Sequence, residues 1–174
     1  FIDRNQKQPF FLYLAYTIPH VDLDVPEDSK KPYIGKLKET KPYGTPGGHH
    51  YRHEERPHAT FAGMVSRLDR DVGRILDRLK KMGLEKNTLV IFTGDNGTSK
   101  SLENRLGDFR LRGGKRTMNE AGTRVPFIAR WPGKIPAGKR DAILSLMDVL
   151  PMLASVAGIP VEHEIDAVSY THLT

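Results

Sequence analysis

The stretch LVIFTGDNGTSK, residues 89–100, runs from strand-forming apolar side chains straight into an acid, an amide and a glycine. Leu89, Val90, Ile91 and Phe92 are the large aliphatic, β-branched and aromatic residues that fill a buried strand. Asp95, Asn96 and Gly97 end it. Asn-Gly is a common turn pair, so the change fits a plain strand-end turn. It also fits a ligand edge. Asp95 offers a carboxylate and Asn96 a carbonyl oxygen, hard donors suited to Ca²⁺ or Mg²⁺, and Gly97 lets the backbone turn tightly behind them. Two donors are not a complete site, since Ca²⁺ takes about six to eight. Asn96-Gly97-Thr98 also reads as a glycosylation sequon, but an amide bound to a metal at a sheet edge is closed to that chemistry.

Upstream of this strand, Phe61, Met64, Val65, Leu68, Val72, Ile75, Leu76 and Leu79 recur at helical spacing over residues 59–82. This predicts an amphipathic helix with one face on a core, stopped by Gly83. Further upstream, PFFLYLAYTIPH, residues 9–20, predicts a buried strand over 10–16, which Pro19 ends just before His20. Residues 21–57 lose periodicity and are rich in Pro, Gly, Lys and His, as in a long surface excursion of functional or mobile character. Downstream, about thirty residues rich in Gly, Arg and Lys lead to VPFIARW, a strand over 125–131. A helix follows over 142–158, with Pro151 near its start or at a kink and Gly158 at its end. Strand, helix, strand is the order of a parallel sheet with crossover helices, an α/β class. In such sheets ligands gather beyond the carboxyl ends of the strands, so His20 and Asp95-Asn96 are expected on one edge.

The 174 residues suffice for one domain or a large piece of one, and the mean hydropathy of −0.48 fits a globular chain. No apolar run approaches the roughly 20 residues of a membrane span. Zero cysteines exclude disulfides, thiolate metal sites and a cysteine nucleophile within these residues. The net charge of +6 invites an anionic partner. Much of it sits at Lys30, Lys31, Lys36, Lys38 and Lys41, and in RLRGGKR, residues 110–116. No nucleic-acid module accompanies these charges, so a small anionic group or an anionic polymer is the better fit. Lys115 follows two glycines that let its ammonium approach an anion. The loop is not a phosphate-binding Walker loop, because Arg116 stands where Ser or Thr is required. His49, His50, His53 and His58 crowd HHYRHEERPH, yet HEERPH is one residue too long for the zinc motif H-E-x-x-H and Pro57 opposes its helix. That segment reads as a solvated loop.

Four blocks in this order resemble the sulfatases of the alkaline-phosphatase-like superfamily: PFFLYLAYTIPH, MVSRLDRDVGRILDRLKKMGLEKNTLVIFTGDNG, LRGGKRTMNEAGTRVPFIARWPGKI and SLMDVLPMLASVAGIP. The resemblance implies part of a mixed, mostly parallel sheet flanked by helices. It implies that Asp95 and Asn96 bind the active-site Ca²⁺, with Mg²⁺ as the alternative. It further implies that Lys115 contacts the sulfate and the leaving oxygen, and that His20 holds the sulfate and protonates the departing alcohol. Glu120, Gly122, Arg124 and Pro126 match a scaffold block, with Ala121 in place of its first glycine. The implied substrate is a sulfated small molecule or polysaccharide, and the implied location is periplasmic, secreted or lysosomal.

The formylglycine nucleophile of the family arises from Cys or Ser in a C/S-x-P-x-R motif, which this chain lacks. The nucleophile, the remaining calcium ligands and a C-terminal subdomain are therefore expected outside these residues, and the isolated chain is expected to be inactive. Residues 1–169 are expected to be the central and C-terminal part of a catalytic domain, and residues 170–174 a truncated or non-native tail. Two other readings stay open. One is a phosphodiesterase or phosphonate hydrolase of the same superfamily, and the other a non-catalytic basic module that binds sulfated polyanions.

Overall fold

The computed structural model describes residues 1–47, 50–100, 102 and 105–162. In chain order the elements are α1 (Ile2–Asn5), α2 (Glu27–Lys30), α3 (Pro57–Lys81), β1 (Val90–Thr93), β2 (Arg105–Leu106), β3 (Phe109–Arg110), α4 (Glu120–Thr123), β4 (Phe127–Arg130) and α5 (Val149–Ala157). They divide into one compact unit of Phe1–Leu84 with Asn96–Val125 and a second of Glu85–Asp95 with the residues from Pro126 onward. The expected tail, 170–174, and His49 lie outside the described residues.

The first unit is built on α3. Pro57 opens this helix, where its missing N–H removes nothing a helix uses. The Glu39 carboxylate then accepts from the backbone N–H groups of His58 and Ala59 at 2.8 and 3.0 Å. Two of the orphan donors of the first turn are thereby satisfied, and a negative charge stands at the positive end of the helix dipole. At the other end Gly83 has φ +70°, a left-handed conformation that a Cβ would penalise. Its N–H reaches Lys80 O at 3.0 Å while Leu84 N–H reaches Leu79 O at 2.9 Å, so the last carbonyls are capped by the predicted stop.

The buried row of α3 is Ala59, Thr60, Gly63, Met64, Leu68 and Leu79. Of the predicted stripe, Val65 is 41% exposed, because the face that α2 and the following turn cover is narrower than the apolar stripe. That cover is pinned by Arg67, whose Nη1 donates to Ser29 Oγ at 2.8 Å, and by a hydrogen bond between the hydroxyls of Tyr33 and Ser66. Segment 21–57 is thus no featureless excursion. It contains α2, a 3₁₀ turn (Lys31–Tyr33), the buried Leu23, and an antiparallel bridge in which Tyr43 and Glu54 exchange N–H···O bonds of 2.9 Å.

Residues 10–16 do not form the predicted buried strand. No ladder is assigned to them among the described residues, and Phe11 and Tyr13 are 73% and 78% exposed. A central strand needs a partner on each edge and apolar cover on both faces.

In the second unit β1 and β4 pair antiparallel, Val90 opposite Arg130 and Thr93 opposite Phe127. The order strand, helix, strand predicts parallel neighbours. Here the chain between β1 and β4 returns in the opposite sense, so the one ladder the two strands form is antiparallel. Below it, Trp131 Nε1 donates to Lys86 O at 3.0 Å and Arg130 pairs with Glu85 at 3.2 Å. Ser145 and Asp148 form a reciprocal cap ahead of α5, with Ser145 N–H donating to Asp148 Oδ2 at 2.7 Å. Residues 142–145 of the predicted helix are not helical, and α5 begins only at Val149, after a 3₁₀ turn over Leu146–Asp148; Pro151 lies in its first turn, where its missing N–H is tolerated, and Gly158 ends it as predicted. Among the described residues no helix is long and apolar enough to cross a membrane. The class is α/β, as the sequence predicts.

Candidate functional site

β1 ends at Thr93, and Asp95 and Asn96 follow it on the surface. What fixes the chain just after them is a set of backbone contacts to the loop that carries Lys115. Gly97 N–H donates to Gly122 O at 3.1 Å, and Lys115 N–H donates to Thr98 O at 2.7 Å. Gly97 is buried, and a Cβ built on it would stand 2.0 Å from Ala121 O. The glycine therefore serves a close approach of two backbones more than a turn.

The loop around Lys115 is tied to itself as well. Thr117 Oγ1 donates to Gly114 O at 2.7 Å, Arg112 Nε donates to Asn119 Oδ1 at 2.9 Å, and Ala121 N–H reaches Arg112 O at 3.1 Å. Gly114 and Gly122 do not confer flexibility here; both pack against neighbouring backbone, which leaves Lys115 half-buried on a fixed frame. Arg116, next in sequence, has φ +72° and is the one non-glycine residue in the left-handed region among the described residues. Such a conformation costs about 1–3 kcal/mol and persists where the surroundings impose it. In the scaffold block, Glu120 and Arg124 form an ion pair across α4.

His20 is placed by other contacts. Its N–H closes a turn onto Thr17 O at 3.0 Å, and its exposed ring lies 6.2 Å from that of Tyr51. The structure thus brings the Lys115 loop onto the residues that follow Asn96, whereas the His20 ring sits beside that of Tyr51. Tyr51 carries no motif, and sequence reasoning passes over it. The one signal is an aromatic residue inside a histidine-rich segment.

Two histidines of that segment, His53 and His58, have separate partners. His58 Nδ1 bonds Lys38 O at 2.7 Å, and His53 Nε2 bonds Glu55 Oε1 at 2.7 Å. Among the described residues no group of three or more His, Cys, Asp or Glu side chains is placed to hold a metal ion. The Glu55 carboxylate raises the His53 pKa above the ordinary 6.5. A raised histidine pKa stabilises the fold below the ordinary value, and the contribution is lost as pH rises through the raised value. An NMR titration of His53 should therefore give a midpoint above 6.5, and Glu55→Gln should bring it down. An unchanged midpoint would remove this contact.

Comparison with known proteins agrees with this architecture. The chain is 31% identical over 183 residues to an N-acetylgalactosamine-6-O-sulfatase of Bacteroides thetaiotaomicron, with 99% of this chain and 31% of that protein covered. It is 34% identical over 158 residues to human arylsulfatase A, covering 90% of this chain and 27% of that one. The solved structure of Ps i-CgsB in complex with k-i-k-neocarrahexaose superposes with a TM-score of 0.74 at 36% identity, over 92% of this chain and 32% of the other. The chain thus spans about a third of the length of these relatives. The sequence profile described as Sulfatase matches residues 1–159, a stretch that contains the β1 edge, the Lys115 loop and His20, and by that match the chain belongs to the sulfatase family.

Proposed function

We propose that this chain is the part of a sulfuric ester hydrolase that supplies two calcium ligands, Asp95 and Asn96, and two sulfate contacts, Lys115 and His20. The observation that carries the reading is the 2.7 Å bond from Lys115 N–H to Thr98 O. It holds the base of the lysine two residues from Asn96, so a cation on one segment and an ammonium on the other can face the same anion. The donor chemistry fits: a carboxylate and an amide carbonyl at a strand end are hard oxygen ligands, and further ligands must join them to complete a calcium sphere. Bound there, Ca²⁺ would draw charge from the sulfuryl oxygens as a Lewis acid.

The chain's own residues divide the remaining work. Lys115 stabilises charge that grows on the leaving oxygen as the S–O bond breaks, from a backbone that needs no rearrangement to present it. His20, exposed on its turn, holds the sulfate and delivers a proton to the departing alcohol. The nucleophile, a formylglycine in this reading, is contributed by residues outside the chain. Relatives named for N-acetylgalactosamine-6-sulfate chemistry, and one solved with a neocarrahexaose, support a sulfated saccharide as the substrate.

The test is Asp95→Ala in the full-length enzyme, read by calorimetric calcium titration as well as by turnover. Loss of a charged ligand should weaken calcium binding about a hundredfold, the upper end of what even supporting groups around a metal cost. If Asp95 is merely a strand-end turn residue, calcium affinity and turnover both survive, and the reading fails.

A further inference from the structure

We infer that Tyr51, backed by Tyr43, is a platform for a sugar ring, and that it makes this site selective for sulfated saccharides over bare sulfate. Tyr43, Tyr51 and His20 form a row of rings, 5.8 Å from Tyr43 to Tyr51 and 6.2 Å from Tyr51 to His20. The row runs from the half-buried Tyr43, whose pKa is raised by burial, to the exposed Tyr51 and His20. The inner ring therefore supports, and the outer two are open to a ligand.

The segments that carry Tyr43 and Tyr51 are braced. Tyr43 and Glu54 exchange backbone bonds, Arg52 N–H donates to Asp22 Oδ1 at 3.0 Å, and the Arg52 guanidinium holds Asp24 Oδ2 at 2.6 Å. A ring on a braced segment loses little freedom when it meets a ligand. The chemistry suits a pyranose. One face of such a ring carries axial C–H groups that pack on an aromatic surface, while its hydroxyls need planar polar partners, which Arg52, Asp22 and Asp24 present beside Tyr51. The spacing suits it too: with 6.2 Å between the two rings, a sulfate held at His20 would leave the sugar that bears it within reach of Tyr51.

The inference rests on the reading that His20 contacts sulfate, and its test separates the two. In the full-length protein, the affinity for a sulfated galactose hexasaccharide is measured by calorimetry, and inorganic sulfate serves as a probe of the anion contacts alone. Tyr51→Ala should weaken the hexasaccharide about tenfold relative to inorganic sulfate, as loss of one stacked ring implies, and Tyr51→Trp should restore it. Equal weakening of both ligands would mean that Tyr51 only braces the His20 loop, and no weakening of either would mean it touches nothing; both results overturn the platform. A wild-type protein that shows the Tyr51-dependent affinity but hydrolyses no sulfate ester would instead overturn the hydrolase reading and leave the platform standing.

Discussion

Lys115→Ala in the full-length enzyme is expected to lower kcat about a hundredfold or more, with a much smaller change in KM. The sulfate carries most of its charge before reaction, so its binding is shared among several cationic contacts. The bridging oxygen gains charge only as the S–O bond lengthens, and a contact strongest at that moment acts on the rate rather than on binding. The Lys115 backbone is set by its bond to Thr98, and Gly114 behind it packs closely on Lys100, so the ammonium works from a braced base. Lys115→Arg keeps the charge but spreads it over a planar fork, and should recover only part of the loss. Single-turnover and steady-state kinetics on an aryl sulfate check both variants. A kcat equal to wild type would remove Lys115 from the chemistry, and an effect confined to KM would make it a binding contact.

Gly97→Ala should be strongly damaging, costing about 3 kcal/mol or more in folding stability. The added Cβ would meet Ala121 O at 2.0 Å, the Ala121 carbonyl carbon at 2.7 Å and the Gly122 carbonyl carbon at 2.8 Å. All three are backbone atoms, so no side chain can swing aside. The segments must part, which stretches the 3.1 Å bond from Gly97 N–H to Gly122 O and shifts the chain that follows Asp95-Asn96. Stability measured by the denaturant midpoint should fall without a change in slope, and calcium affinity should fall with it. A midpoint close to wild type would show that the two backbones are not held so closely.

The helices were legible where local chemistry decides them. In α3 the apolar spacing and the closing Gly83 agree, while Pro57 opens the helix although in the sequence it reads as a breaker; in α5 the glycine stop was legible, and the late start at Val149 was not. The strands were less so. Residues 10–16 carry the side chains of a buried strand, but burial depends on neighbours that a local run cannot name, and Phe11, Tyr13, Leu14 and Tyr16 are exposed. The direction of β4 against β1 is likewise a property of the path between them, absent from either strand's composition. At the site, Asp95-Asn96 and Lys115 stood out because a change of residue type at a strand end and a charge after two glycines are visible locally. The packing duty of Gly97, Gly114 and Gly122 was hidden, since a glycine in a loop reads as freedom until the opposing backbone is in place. Tyr51 was hidden for the same reason, its meaning arising from His20, which is remote in sequence.

The Glu39 cap on α3 bears on how the chain comes to be folded. Its two bonds span 19 and 20 residues, so the Glu39 segment and the first turn of the helix close a short loop, and such contacts form early because little chain entropy opposes them. β1 and β4 can meet only after residues 94–126 have been laid down between them. During synthesis, α3 and the Glu39 segment can therefore assemble while β4 is still to be made, and the ordering of Gly97 and Thr98 must wait for the Lys115 loop to be translated. A slow step in acquiring activity is thus to be sought in the second event, with α3 already formed.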